Sequence, residues 1–172
     1  MNKEEFTSLV IDSEEMLYKI SMSMLKNEKD CEDAVQTAIL TAYEKLNTLK
    51  KEEYFKTWIV RILINICNKQ LNTRNKIVDI SDYQNANPAS NFSSEELEVR
   101  LAVESLPIKI RQVVVLYYTE GFSVKEIKSI LKIPEGTVKS RLAVSGRMKL
   151  QHKHSKGDDK PCPTKLYNST RK

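Results

Sequence analysis

Glycine, histidine and long apolar runs are scarce in this sequence, and each shortage excludes something. Its 172 residues hold four glycines, all at or after position 121, so the first 120 residues contain no glycine-rich phosphate loop. Both histidines, His152 and His154, lie near the C-terminal end, which removes histidine-based catalysis from the body of the chain. The three cysteines, Cys31, Cys67 and Cys162, show no Cys-x-x-Cys spacing, and an odd number suits reduced thiols in a cytosolic protein. His152, His154 and Cys162 form one loose set of metal donors in a polar tail, and neither a metal nor a cofactor is expected. No nucleophile–base pair is evident, so the sequence does not read as an enzyme, and no small-molecule substrate is implied. No apolar run approaches the roughly 18 residues that a membrane span needs. The opening residues, MNKEEFTSLVIDSEE, are too acidic and too briefly apolar for a signal peptide, and a cytoplasmic location is expected. Aromatic residues make up 7% of the chain, and five prolines with four glycines leave few turn signals for a many-stranded fold.

Charge and helical periodicity are abundant. Charged side chains account for 30% of residues, with a net charge of +5 that is unevenly spread. Residues 1–73 carry −2, residues 74–95 carry −1, residues 96–150 carry +4 and residues 151–172 another +4. A basic second half behind an acidic first half points to a polyanionic partner for the second.

The first half reads as three amphipathic helices. Met16/Leu17, Ile20 and Met24/Leu25 recur one turn apart over Glu14–Lys26. Asp30 is placed to cap a second helix near Cys31–Leu46, which turns Ala34, Val35, Ala38, Ile39, Ala42, Tyr43 and Leu46 inward. The polar stretch Asn47–Glu53 reads as a connecting loop. A third helix, about Tyr54–Asn72, carries Phe55, Trp58/Ile59, Ile62/Leu63 and Ile66 on one face. Its other face holds Lys56, Thr57, Arg61, Asn65, Asn68 and Lys69. From Arg74 to Ser94 the period fails around Pro88, so residues 74–94 read as a linker in which Ile77, Val78 and Ile80 pack locally or dock on a partner.

Four more helices are expected beyond the linker. Ser93 with Glu96 forms a capping box for a helix through Leu97, Leu101 and Val103. Leu106-Pro107 breaks it, and Ile108–Glu120 follows, burying Ile110, Val113, Val114 and Tyr117 before Gly121. Ser123 with Glu126 makes another capping box, and Val124, Ile127, Ile130 and Leu131 share a face. The run Ile133-Pro134-Glu135-Gly136 then breaks the pattern, with Gly136 suited to a sharp turn and Thr137 placed to cap a basic helix. A short helix, a tight turn and a basic second helix make a helix-turn-helix, whose second member enters the DNA major groove. Val138 and Leu142 would face inward, leaving Lys139, Ser140 and Arg141 outward. Lys139 is the candidate for a base edge, and Arg141 for a phosphate or a neighbouring carboxylate.

The fold class is therefore all-α, with two small helical domains joined by a flexible linker. The expected divisions are 1–73, a linker at 74–94, a helix-turn-helix domain at 95–150 and a basic, disordered tail at 151–172. In that order the chain resembles the extracytoplasmic-function sigma factors of the sigma-70 family. The run from Tyr18 to Leu71 is similar to their promoter-melting domain, and the run from Leu106 to Leu142 to their −35-binding domain. The resemblance implies an alternative sigma factor that binds core RNA polymerase and promoter DNA and is controlled by an anti-sigma factor, soluble or membrane-anchored, the latter holding it at the membrane. A transcriptional regulator acting on a preformed holoenzyme is the alternative.

The resemblance also implies residue roles. Asp33, Ala34, Val35 and Gln36 match the family's polymerase-binding motif. Tyr54, Arg61, Asn65, Asn68 and Lys69 fall in the segment that captures unstacked bases of the −10 element, work suited to aromatic, amide and cationic groups. Trp58, in line with Phe55 and Ile62, is expected in the core instead. Glu135, Gly136, Thr137, Lys139, Ser140 and Arg141 match the −35-reading turn and helix. Lys128 and Lys132 stand where members often have Ala and Gly. Past Leu142 the cation-poor Ala143-Val144-Ser145-Gly146 replaces a basic stretch, so the helix is expected to fray early there.

Overall fold

A computed structural model describes the backbone of residues 2–77 and 94–153 and the side chains of 2–74 and 98–146. The described residues are helical or in connecting turns, with no strand among them. The chain divides into two compact units, Met1–Pro88 and Ala89–Lys172.

Three long helices build the first unit: α1 (Lys3–Leu25), α2 (Glu28–Glu44) and α3 (Phe55–Ile77). Helix α1 begins eleven residues before the sequence expectation because Asn2 and Glu5 close a capping box, each side chain serving the other's backbone N–H at 2.7 and 2.8 Å. Lys26, left-handed at φ 58°, ends it. Asn27, not Asp30, caps α2, its side-chain oxygen accepting from the Asp30 N–H at 3.1 Å. That frees the Asp30 carboxylate to pair with Arg74, tying the start of α2 to the end of α3. Helix α3 accordingly continues through residues 74–77, four positions expected to lie in the linker.

Each pair of these helices packs together, and the core is graded by size. Helix α2 supplies Ala34, Ala38 and Ala42 at four-residue intervals, small side chains that let α1 and α3 approach it closely. Helices α1 and α3 supply the bulk: Leu17, Ile20 and Met24 against Phe55, Ile59, Leu63 and Ile64. Phe6, unread in the sequence, packs edge-on to Phe55 at 5.9 Å and to Tyr43 at 5.5 Å. Tyr43 was expected inward; its ring leans on Phe6 but stays half exposed.

The second unit contains α4 (Ser94–Glu104), α5 (Ile108–Val114), α6 (Val124–Leu131) and α7 (Glu135–Lys153). The end of α4 is closed by Arg111 from α5, whose guanidinium donates to the carbonyls of Glu104 and Leu106 at 2.7 and 2.8 Å. The Glu104 carbonyl is one that a helix end leaves without an intrahelical partner, and the Leu106 carbonyl belongs to the turn that follows. Beyond α5 the chain widens into a π turn, Val115–Thr119, sealed by the Glu120 N–H on the Val115 carbonyl at 3.1 Å. The extra residue per turn buries Val115 and Leu116 and swings Tyr117, expected in the core, out to solvent beside Tyr118. Gly121, at φ 72°, then reverses the chain so that Phe122 returns to the core.

The turn between α6 and α7 differs from the sequence expectation. Lys132 takes the left-handed conformation at φ 52°, and Pro134 accepts from the N–H groups of Thr137 and Val138 at 2.9 and 3.2 Å. Helix α7 therefore starts at Glu135; Gly136 is helical and Thr137 is no cap. A single left-handed residue completes the reversal, so Gly136 has no special angle to adopt. Helix α7 also runs past Gly146, where fraying was expected, with Ser145 buried and its hydroxyl on the Leu142 carbonyl at 2.7 Å. The Ser93–Glu96 box, the side-chain packing of Ile77, Val78 and Ile80, the donors His152, His154 and Cys162, and the tail beyond Lys153 lie outside the described residues.

Candidate functional site

Three surfaces gather the residues singled out in the sequence. On α2, Asp33 and Gln36 are exposed three residues apart, while Ala34 and Val35 point into the core at 0% and 7% exposure. Only half of that motif is therefore available to a partner. The same helical side continues to Leu40, 64% exposed, which the periodicity from Asp33 and Gln36 could have identified.

The second surface runs from the loop after α2 along α3. Exposed Asn65 and Lys69 and half-buried Arg61 and Asn68 recur at helical spacing. Trp58 is half-buried, its ring tilted against Phe55 at 6.1 Å, which keeps it largely in the core. Tyr54 ends a 3₁₀ turn, Glu52–Tyr54, and is half exposed. A hydrogen bond to the Glu53 carboxylate pushes its phenol pKa up. Immediately before it, Leu46, Asn47, Leu49, Lys50, Lys51 and Glu52 line an open cleft of about 530 Å³. The resemblance already placed Lys50–Phe55 in the −10 segment; the sequence reading missed Leu46, Asn47 and Leu49 beside it, where Leu46 and Leu49 are two apolar residues in an otherwise polar stretch.

The third surface is the helix-turn-helix. Ser123 and Glu126 close the capping box of α6, the Glu126 carboxylate accepting from the Ser123 N–H at 2.8 Å. Ile127 and Ile130 of α6 and Val138 of α7 bury the inner faces. Outward lie Gly136, Lys139 and Ser140, with Glu135, Thr137 and Arg141 half-buried. Lys139 and Glu135 form an ion pair at 2.9 Å, and that hydrogen bond leads in holding the Glu135 carboxyl below its ordinary range. Lys128 and Lys125 add to the same effect from α6. Arg141 reaches back instead, donating to the Lys109 carbonyl of α5 at 3.3 Å.

Comparison with known proteins gives the arrangement a family. Residues 9–77 match Sigma-70 region 2, and residues 96–143 match Sigma-70, region 4. The ECF RNA polymerase sigma-E factor of Escherichia coli K12 is 32% identical over 130 residues, covering 66% of this chain and 68% of that protein. The chain belongs to the extracytoplasmic-function sigma factors. The ECF RNA polymerase sigma factor SigM of Mycobacterium tuberculosis is 27% identical over 130 residues, covering 74% of this chain and 66% of its own. In fold, this sigma factor is similar to the sigma factor RpoE solved with the anti-sigma factor NepR from Bartonella quintana. That match has a TM-score of 0.75 at 22% identity and covers 86% of this chain and 96% of the other. It is also similar to CnrH, solved with the cytosolic domain of CnrY, at a TM-score of 0.67 and 19% identity over 91% and 92% of the two chains.

As a sigma factor it is an alternative, dissociable subunit that binds core RNA polymerase and directs it to promoter DNA. None of its described helices is long and apolar enough to cross a membrane.

Proposed function

We propose that this sigma factor divides its work among the three surfaces, without bond chemistry of its own. The single observation that supports this most is the separation of exposed from buried residues within Asp33-Ala34-Val35-Gln36. Asp33 and Gln36 present two polar groups to core polymerase, while Ala34 and Val35 hold α2 to its neighbours. The cleft before Tyr54 takes an unstacked −10 base: Leu46 and Leu49 supply apolar surface, Asn47 an amide for the base edge, and Lys50 and Lys51 charge for its phosphates. Tyr54, Arg61, Asn65, Asn68 and Lys69 extend that contact along α3. At the −35 element, Glu135, Gly136, Thr137, Lys139 and Ser140 meet the major groove at the start of α7. Arg141 braces α7 against α5.

Control by an anti-sigma factor follows from the same layout. A partner covering Asp33 and Gln36 blocks polymerase, and one covering the start of α7 blocks the −35 element. The similar folds of RpoE and CnrH were solved with NepR and CnrY. The site of action is cytoplasmic, and a membrane-bound anti-sigma factor would hold the protein at the membrane.

The test is transcription with purified core polymerase and no other sigma factor. The wild-type chain should start transcripts at defined promoters, whereas a regulator of preformed holoenzyme would give none. Asp33→Ala with Gln36→Ala should lower core affinity at least tenfold while altering stability by less than about 0.5 kcal/mol, as exposed substitutions do. Unchanged core affinity in a fluorescence titration would remove α2 from the polymerase interface.

A further inference from the structure

We infer that α6 and the turn after it, rather than Lys139 and Arg141 at the start of α7, supply cationic phosphate contacts of the second unit, through Lys125, Lys128 and Lys132 binding the backbone of duplex DNA. This rests on the reading of that unit as the −35-binding one.

The two cations that the sequence assigns to DNA on α7 are already engaged. Lys139 is paired with Glu135, and Arg141 is half-buried with its guanidinium on the Lys109 carbonyl. Further along the outer side of α7, Ala143 is exposed and Val144 and Gly146 are half exposed, so from Leu142 to Gly146 the helix adds no charged side chain.

Helix α6 has the opposite character. Lys125, Lys128 and Lys132 are all exposed, and among the described residues none of their ammonium groups has an ion pair or hydrogen bond. They recur at three- and four-residue intervals, away from the face that buries Ile127 and Ile130. Seven residues of helix advance about 10 Å, the axial length of roughly three phosphates on one strand. Lys132 holds its charge in a left-handed conformation that glycine would adopt with less strain.

The row also faces the correct way. Lys128 and Lys125 both act on the Glu135 carboxylate, which stands in the first turn of α7. Their charges therefore border the end of the helix that enters the groove, where the first helix of a helix-turn-helix crosses the sugar-phosphate backbone. The division leaves α7 free for base edges: lysines on α6 set affinity, and the Glu135–Lys139 pair meets the sequence.

The experiment uses the full chain assembled with core polymerase, bound to promoter duplexes over 50–200 mM salt. Each phosphate contact contributes about 0.9 to the slope of log affinity against log salt. Lys125→Gln with Lys128→Gln should flatten that slope by about 1.8, so that the ratio of affinities at the two ends of the range falls on the order of tenfold. The loss should be equal on every −35 variant, and Lys125→Arg with Lys128→Arg should restore the slope. Core-polymerase affinity, measured in parallel, should not move. An unchanged slope, a loss that depends on the −35 sequence, or failure of the arginine pair to restore it would overturn the assignment. If wild-type chain and core polymerase bind no promoter at all, the −35 reading beneath it falls instead, and the inference with it.

Discussion

In the first unit, helices of 23, 17 and 23 residues bury long stripes, whereas in the second, helices of 11, 7 and 8 residues precede α7. The first unit closes on a cluster of Phe6, Phe55, Tyr43 and Trp58, and its largest buried side chains come from α1 and α3. The second relies on shorter β-branched and aliphatic side chains, Val113, Val114, Ile127, Ile130 and Val138, and on polar closures at its helix ends. Arg111 fastens α4, Ser123 with Glu126 opens α6, and Lys132 and Pro134 set the turn. Long helices gain their stability from packing along a whole face, while short ones depend far more on how their ends are satisfied.

That contrast can be broken in a defined order. The largest effect should come from Phe55→Ala, which removes a ring at 1% exposure from the centre of the first unit. A loss of about 3–5 kcal/mol is expected, as for other buried aromatics. Hydrogen exchange should show protection vanishing across α1–α3 while α5–α7 keep theirs. Equal loss in both units would mean that the two cores are one cooperative system.

Alkaline pH should also act on the first unit. Burial pushes the Cys67 thiol from an ordinary 9.0 up to about 12, and Cys31 is raised for the same reason. A thiol with a raised folded pKa keeps its proton in the folded state after the unfolded chain has released it. Its contribution is complete below about pH 9 and is lost as the pH rises towards 12, at up to about 1.4 kcal/mol per pH unit. Denaturant midpoints between pH 8 and 11 should fall, and Cys67→Ala should make the decline shallower. An identical pH profile in that variant would take the thiol out of the account.

A smaller effect, confined to the second unit, is expected from Arg111→Met. The substitution keeps much of the apolar stem but strips two carbonyls of their donor, costing about 2 kcal/mol. Protection of α4 and α5 should drop first. If α1–α3 lost protection as well, the polar closure would not be local.

What could be read in the sequence divides along physical lines. Periodicity located the helices that bury a continuous stripe, and the Ser123–Glu126 box was legible because both partners are local. Asn2 and Glu5 carry the same signal, but the apolar period beyond them is weak at Ile11 and Asp12, so the start of α1 went unread. Tyr117 was misplaced because a one-residue widening of the helix rotates everything after it, and no local composition marks that event. Thr137 and Pro134 are both plausible helix starts, and the choice turned on Lys132 taking the left-handed angle. At the site, Asp33 and Gln36 were legible as a pair. Lys50–Phe55 were legible through the resemblance, but the part of the cleft formed by Leu46, Asn47 and Leu49 was not, because it depends on how two helix ends and a loop meet.

The first unit is contiguous in the chain, with α1, α2 and α3 complete by Ile77. A ribosome adding about 5–20 residues per second still needs several seconds to reach the end of α7, and small helical bundles fold within milliseconds. The side of α2 proposed to meet polymerase is thus finished while the helix-turn-helix half is still being synthesised. A nascent chain in that interval carries the proposed Asp33–Gln36 and −10 surfaces with no −35 preference attached. Whatever partner waits at that surface has its first opportunity before the sigma factor is whole.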